Sequence, residues 1–191
     1  MSLLLKLYRV SLLAVCLPAI AAADINEAIT AALAHYSSGE LMQAVAQLDY
    51  AAALIRQEKG EHIKSAFPQP PTGWQADTAE ITSAALFGGM LSVSRRYYHR
   101  SSNQNIYLSV TLESPLEQQA LLMMLSNPSM VTMSGGKLIK VKGLTAVQRL
   151  DNNQLEIKLR TESGAVVQIE GHDNVELIIY ELLNRLDFIL L

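Results

Sequence analysis

Four methionines in a short stretch are the residues whose type and spacing most directly suggest chemistry. Met123 and Met124 lie in the apolar run of residues 120–125, and Met130 and Met133 follow a few residues later. Thioether sulfur binds Cu(I), and methionine also adapts to varied apolar surfaces. A helix that is apolar on all sides can belong to the hydrophobic core, line a groove for an apolar ligand or partner, or supply a copper site. The predicted surface comprises Leu121, Leu122, Met123, Met124, Met130 and Met133.

A second group of residues is basic. Residues 91–171 contain nine Lys or Arg against six Asp or Glu, whereas the whole chain carries a net charge of −3. On the solvent face of a sheet, these groups would attract anionic polymers or lipid head groups through their field. An ordinary solvated face is the simpler interpretation, because acidic residues are interleaved. The predicted basic sheet face comprises Arg95, Arg96, Arg100, Lys140, Lys142, Lys158 and Arg160.

The remaining reactive side chains form no recognisable catalytic or metal-binding pattern. The four histidines are scattered, and Glu58 with His62 supplies only two of the three or four ligands that zinc requires. The sequence contains neither a G-x-S-x-G nucleophile motif nor a phosphate-binding glycine loop. We therefore expect a non-enzymatic protein with no cofactor and no His, Cys or carboxylate metal site. A hydrolase whose residues converge only in the fold remains an alternative.

Composition excludes several classes of protein. Half of the 191 residues are hydrophobic and 17% are charged, so the chain is too apolar for an intrinsically disordered protein. A single cysteine excludes a disulfide-rich scaffold and a thiolate-bound cluster. The negative net charge argues against a nucleic-acid partner.

The first 23 residues have the order of a secretory signal peptide. Lys6 and Arg9 precede an apolar run at residues 10–20, and three alanines follow at 21–23. We predict cleavage after Ala23 and a periplasmic location, with no transmembrane span afterwards, since the run is too short to cross a bilayer. Cleavage would remove Cys16 and two basic residues, and the net charge would become −5. Lipidation at Cys16 and an uncleaved anchor are the alternatives.

Residues 24–67 are predicted to form a helical hairpin. Asp24 with Glu27, and Ser37 with Glu40, have capping-box spacing, and Gly39 breaks the pattern between two apolar stripes. The stripes are Ile25, Ile29, Leu33 and Tyr36, then Leu41, Val45, Leu48, Ala52 and Ile55. Residues 32–55 resemble one helix-turn-helix unit of a tetratricopeptide repeat, which implies a peptide-docking hairpin. An ordinary two-helix packing unit is the alternative, because one copy makes no solenoid.

A proline-rich linker at 68–76 is predicted to lead into an α+β domain at 77–191. Residues 67–74 read FPQPPTGW, which favours a stiff extended spacer over a recognition motif. Residues 78–89 suggest a short helix or loop. The rest predicts an antiparallel sheet of about six strands, with a middle helix at 115–126 and a C-terminal helix from 173 packed on one face.

The order of signal peptide, helical hairpin, P-x-P-P-x-G-W linker and small α+β domain resembles a group of exported bacterial proteins of uncharacterised function. The resemblance implies export and the fold, and it identifies no site residue. We expect a periplasmic binding or accessory protein whose hairpin meets an envelope protein and whose α+β domain holds an apolar or anionic ligand. Periplasmic Cu(I) handling through the methionines is the alternative from another class.

Overall fold

The computed structural model describes residues 18–84 and 90–191, with residues 18–23 and 84 described by their backbone alone. Most of the predicted signal peptide, including Cys16, lies outside these residues, as does the end of the ambiguous segment at 85–89. The chain divides into two compact units, Met1–Ile55 and Arg56–Leu191. This boundary falls inside the second helix, whereas the sequence predicts a linker at 68–76.

Two helices form the predicted hairpin: α1 spans Pro18–Ser37 and α2 spans Leu41–Lys64. The helix α1 begins before Asp24, because alanine-rich residues 19–23 are good helix formers. Gly39 has a φ of +81°, which a glycine adopts without strain, and this allows the sharp turn between the helices. The Ser37 hydroxyl donates to the carbonyl oxygen of Leu33 at 2.8 Å and so belongs to the end of α1.

Among its described residues, the second unit contains one antiparallel sheet of eight strands, where about six were predicted. The strands are β1 (Gln75–Ala76), β2 (Glu80–Ala84), β3 (Met90–His99), β4 (Gln104–Leu112), β5 (Gly136–Val141), β6 (Leu144–Asp151), β7 (Gln154–Arg160) and β8 (Val166–His172). Their order is β1-β3-β4-β8-β7-β6-β5, and β2 also pairs with β3. The additional strands β1 and β2 pair with different parts of β3, at residues 97–98 and 90–94.

Three further helices accompany the sheet, and the α+β class is confirmed. The helix α3 spans Pro115–Ser126, as predicted, and α5 spans Glu176–Arg185 after a short 3₁₀ turn at Asp173–Val175. The helix α4, at Pro128–Met133, was not predicted from the sequence. Its start combines a proline in the first turn with the Asn127 side chain, which accepts a hydrogen bond from the backbone N–H of Met130.

The core of the second unit consists of two apolar clusters. The larger joins α5, through Ile179, Leu182 and Leu183, to the inner strands of the sheet. The smaller joins α3 and α4, through Leu121 and Val131, to Val147 and Val166. Both clusters are fully apolar, so burial drives the packing of these helices against the strands.

The proline-rich segment is packed within the second unit. Phe67 and Trp74 are buried in the larger cluster, and the Trp74 ring lies edge-on to the His99 ring at 5.6 Å. The carbonyl oxygen of Pro68 accepts hydrogen bonds from Tyr97 and Arg95 of β3. Residues 67–74 are therefore held by specific contacts to the sheet.

Candidate interaction surfaces

The buried side chains in the part of the hairpin that belongs to the first unit are alanines. Within residues 24–55 they are Ala28 and Ala32 of α1 and Ala44 and Ala51 of α2. They recur at helical spacing along one side of each helix, and we call these four residues the alanine seam.

Seven of the larger apolar side chains within residues 24–55 are exposed to solvent on one side of the hairpin. Their exposed fractions range from 46% to 66%. We call this set the apolar hairpin face; it comprises Ile29, Leu33, Tyr36, Leu41, Val45, Leu48 and Ile55. The stripes predicted from the sequence are thus helical, but they cover this exposed face, whereas the buried positions are alanines.

These side chains lie on the same side of the hairpin. At about 100° per residue, they project roughly 30–120° around each helix from the alanine seam, in the same rotational sense. Equal rotation on two antiparallel helices places both sets on one side. The opposite side has a shallow cleft of about 320 Å³, lined by Asp24, Glu27, Gln47 and Tyr50 among others. Residues of both helices line this cleft, which is consistent with the antiparallel arrangement.

The Asp, Glu, Lys and Arg residues in the part of the hairpin that belongs to the first unit are all acidic. Residues 24–55 contain Asp24, Glu27, Glu40 and Asp49 and no Lys or Arg. None of the charged residues belongs to the apolar hairpin face, although Asp49 lies next to Leu48 in the sequence. The surface is therefore an uncharged apolar area on an acidic element.

The predicted methionine surface separates into buried and exposed residues. Leu121 is buried and Met124 packs against the smaller cluster, so both belong to the core. The exposed members are Leu122, Met123, Met130 and Met133, with Met133 88% exposed. They lie on α3 and α4, which contact each other. We call these four residues the methionine patch.

The predicted basic residues are distributed across the sheet instead of forming a single patch. Arg95 and Arg96 lie on β3, and Arg100 follows it, near one edge. Lys140 lies on β5 at the other end of the strand order, and Lys142 follows that strand. The strands β4, β8, β7 and β6 separate these two groups, and β7 carries Lys158 and Arg160. An anionic ligand would therefore meet several small basic groups.

Each of the three arginines on or next to β3 forms a hydrogen bond to another residue of this chain. Arg95 Nε donates to the carbonyl oxygen of Asp77 at 2.8 Å, and Arg96 Nε donates to Asp77 Oδ2 at 2.7 Å. Arg100 Nε donates to Gln75 Oε1 at 2.6 Å. Asp77 and Gln75 belong to β1 or the loop after it, so these arginines fasten that segment to β3.

Three of the four remaining basic residues also contact other residues of the chain. Lys140 donates to Thr145 Oγ1 at 2.7 Å, and Lys142 donates to the carbonyl oxygen of Leu186 at 2.9 Å. Lys158 Nζ lies 3.4 Å from Glu117 Oε1. Arg160 Nε is buried without a hydrogen-bond partner among the described residues. Most residues of the predicted basic face therefore contact other residues of the chain.

A polar cleft of about 290 Å³ lies beside the Arg96–Asp77 pair. Glu80, Ser94 and Tyr107 complete much of its lining. The hydrogen bond and charge of Asp77 raise the pKa of Arg96, a guanidinium that is already ionised at neutral pH. The cleft offers ionised groups of both signs in an exposed setting, and Tyr107 is half exposed.

Glu113 is a charged site that sequence analysis did not single out. It follows β4 with a φ of +57° and accepts hydrogen bonds from Arg56 Nε and Lys59 Nζ of α2. Partial burial raises the pKa of Glu113, but Lys59 and Arg56 outweigh this effect, so the pKa is lowered. The partners are more than 50 residues away in sequence, so no local pattern indicates the contact.

The described residues contain neither a metal-ligand cluster nor a membrane-spanning helix. Within 18–84 and 90–191, no three His, Cys, Asp or Glu side chains are grouped closely enough to hold a metal ion. The same part of the chain has no helix that is both long enough and apolar enough to cross a membrane.

No protein-family model matches the chain, and searches of curated proteins and of solved structures find no significant match. The resemblance to exported bacterial proteins therefore remains a prediction from the sequence.

Proposed function

We propose that this chain is an exported, non-enzymatic accessory protein of the bacterial periplasm that acts by binding another protein through its apolar hairpin face. The observation that carries the proposal is the exposure of seven large apolar side chains on one side of a two-helix hairpin. Apolar patches of this size on soluble proteins mark sites of interaction. Export rests on the signal-peptide pattern of residues 1–23.

A protein partner explains this surface better than a lipid surface does. Helices that lie on membranes combine an apolar face with Lys and Arg, which attract anionic lipids. Residues 24–55 contain four acidic residues and no Lys or Arg, so anionic head groups would repel the hairpin. The core of a protein interface, in contrast, is apolar and poor in charge.

The α+β unit supplies the second part of the proposal. Its methionine patch exposes flexible apolar side chains that suit an apolar ligand. An anionic ligand at the basic residues is the weaker possibility, because most of these groups already bond to protein atoms.

Site-specific photocrosslinking in intact cells tests the proposed role of the hairpin. A photoreactive residue replaces Val45, which lies on the apolar hairpin face, or Ala46, which is exposed on the other side of α2. We expect covalent adducts of defined mass from position 45 and none from position 46. Equal labelling at the two positions, or no adduct at either, would contradict the proposal.

A further inference from the structure

We propose that the apolar hairpin face binds the same face of a second copy of this chain, so that two hairpins form a four-helix bundle. This inference rests on the proposed function, because it names the protein that occupies the face. Two-helix hairpins with one apolar side are half of such a bundle, whose core forms from the facing apolar positions of all four helices.

The size of the face suits a dimer. The exposed fractions of its seven side chains correspond to about four fully exposed large residues, or roughly 700–800 Å² of surface. A stable protein interface of standard size buries about 800 Å² on each partner. One hairpin therefore exposes about the area that one side of a standard interface requires.

The chemistry of the face suits self-pairing. In a two-fold symmetric interface, the same patch on both copies must be complementary to itself. A charged face would bring like charges together in that arrangement, but this face has no charged side chain. Asp24 and Glu27 line the cleft on the opposite side of the hairpin, which keeps them away from the second copy.

The acidic hairpin also predicts how the association responds to salt. Two copies of residues 24–55, which contain four acidic residues and no Lys or Arg, repel each other at long range, and Asp49 lies near the edge of the face. Salt screens this repulsion. We expect the dimer to become tighter as ionic strength rises, whereas contact between oppositely charged partners would weaken.

The first test measures the mass of the full chain, in the form that the cell processes, by light scattering across a roughly hundredfold range of concentration. We expect a dimer for the native protein. Leu33→Glu with Leu48→Glu should weaken association by more than about tenfold. The matched control, Ala34→Glu with Ala46→Glu, adds the same charge to exposed positions on the other side and should remain dimeric. Circular dichroism verifies that both variants are folded.

A second test does not depend on a destabilising substitution. In a Cys16→Ser background, Leu48→Cys or Ala46→Cys provides the sole cysteine, and a short bifunctional maleimide links copies that approach each other. We expect linked dimers from position 48 and only monomers from position 46.

A monomer at every concentration, with no linkage at position 48, would overturn the inference. If position 45 then still formed a photoadduct with a different envelope protein, or with residues 10–20 of the unprocessed chain, the face would have another occupant. An adduct with a different protein would leave the proposed function standing, whereas the absence of any protein adduct would remove both proposals.

Discussion

The buried hydroxyl of Tyr97 donates a hydrogen bond to the carbonyl oxygen of Pro68 at 2.9 Å. Arg95 Nη1 donates to the same oxygen at 3.2 Å, and Arg95 Nε donates to the carbonyl oxygen of Asp77. Arg95 and Tyr97, two positions apart on β3, therefore hold the backbone on both sides of the tryptophan that packs into the core. This anchoring explains why a segment with three prolines belongs to the second unit.

Removing the Tyr97 hydroxyl should destabilise the protein modestly. Tyr97→Phe retains the ring in the core and leaves Arg95 to satisfy the Pro68 oxygen, so we expect a loss of about 1 kcal/mol. Urea unfolding followed by Trp74 fluorescence measures the change. Tyr98→Phe is the control, because this side chain lies on the other face of β3 and is only half buried. An equal loss in both variants would contradict the role assigned to the hydrogen bond.

Tyr97 also predicts a loss of stability at alkaline pH. Burial raises the pKa of this phenol to about 12, although the Arg95 charge acts in the opposite direction. An unfolded tyrosine loses its proton near pH 10, so between about pH 10 and 12 the folded state binds more protons than the unfolded state. Stability should fall as pH rises through this window. The fall should be smaller in Tyr97→Phe when unfolding is measured at each pH.

Glu113 should make the stability of the protein fall as the pH is lowered through the acidic range. Its pKa is lowered in the folded protein, so its contribution is complete above the unfolded value of about 4.3 and is lost as pH falls below it. The side chain is 38% exposed, which limits the effect of Glu113→Gln to less than about 1 kcal/mol at neutral pH. Acid unfolding curves of the two proteins should converge at low pH. A difference that does not shrink as the pH falls below the unfolded pKa would contradict this account.

Gly60 should resist substitution because α2 passes close to β2. A Cβ at this position would lie 2.8 Å from Cδ1 of Ile81. Gly60→Ala therefore gains helix propensity of about 1 kcal/mol but forces Ile81 to move, and we expect a net loss of stability. In an Ile81→Ala background, the same substitution should stabilise. The double-mutant cycle, measured by urea unfolding, should give a coupling energy of at least about 1 kcal/mol.

The methionine patch separates the binding hypothesis from the copper hypothesis. We expect the native protein to bind Cu(I) no more tightly than a variant with leucine at positions 123, 124, 130 and 133. An environment-sensitive apolar dye should bind both proteins equally and should bind less to Met123→Ser with Met133→Ser, because serine removes apolar surface. Cu(I) binding that is tighter in the native protein by tenfold or more would favour metal handling.

Local patterns in the sequence were sufficient to predict the main elements of the α+β unit. The helix start at Ser114–Pro115 and the alternation of apolar residues at 91–98 and 106–112 are patterns that span only a few positions. The helix α3 and the strands β3 and β4 therefore lie close to where they were predicted. The strand β2 was missed because its five residues mix strand-favouring Ile81 and Thr82 with Glu80 and Ala84, which are depleted in strands. Its pairing with β3 joins Glu80 to Ser94 and Ala84 to Met90, so it depends on residues outside the segment itself.

The hairpin shows a different limit of sequence reasoning. Periodicity predicted which residues share a side of each helix. It did not indicate whether the side with alanines or the side with larger residues is buried. Ala28, Ala32, Ala44 and Ala51 repeat at helical spacing next to Leu33 and Val45, so two adjacent stripes compete for the same role. Small side chains leave the larger ones exposed, and this arrangement is visible only when both helices are placed together.

The strand order has a consequence for aggregation. In the sheet formed by the described residues, β5 is the last strand, and its outer backbone groups are a template for pairing with another sheet. Lys137 and Lys140 lie on this strand and Lys142 follows it. Charged side chains on an edge strand oppose the approach of a second sheet, since burial would cost their solvation. We therefore expect these lysines to oppose fibril formation through this edge of the sheet.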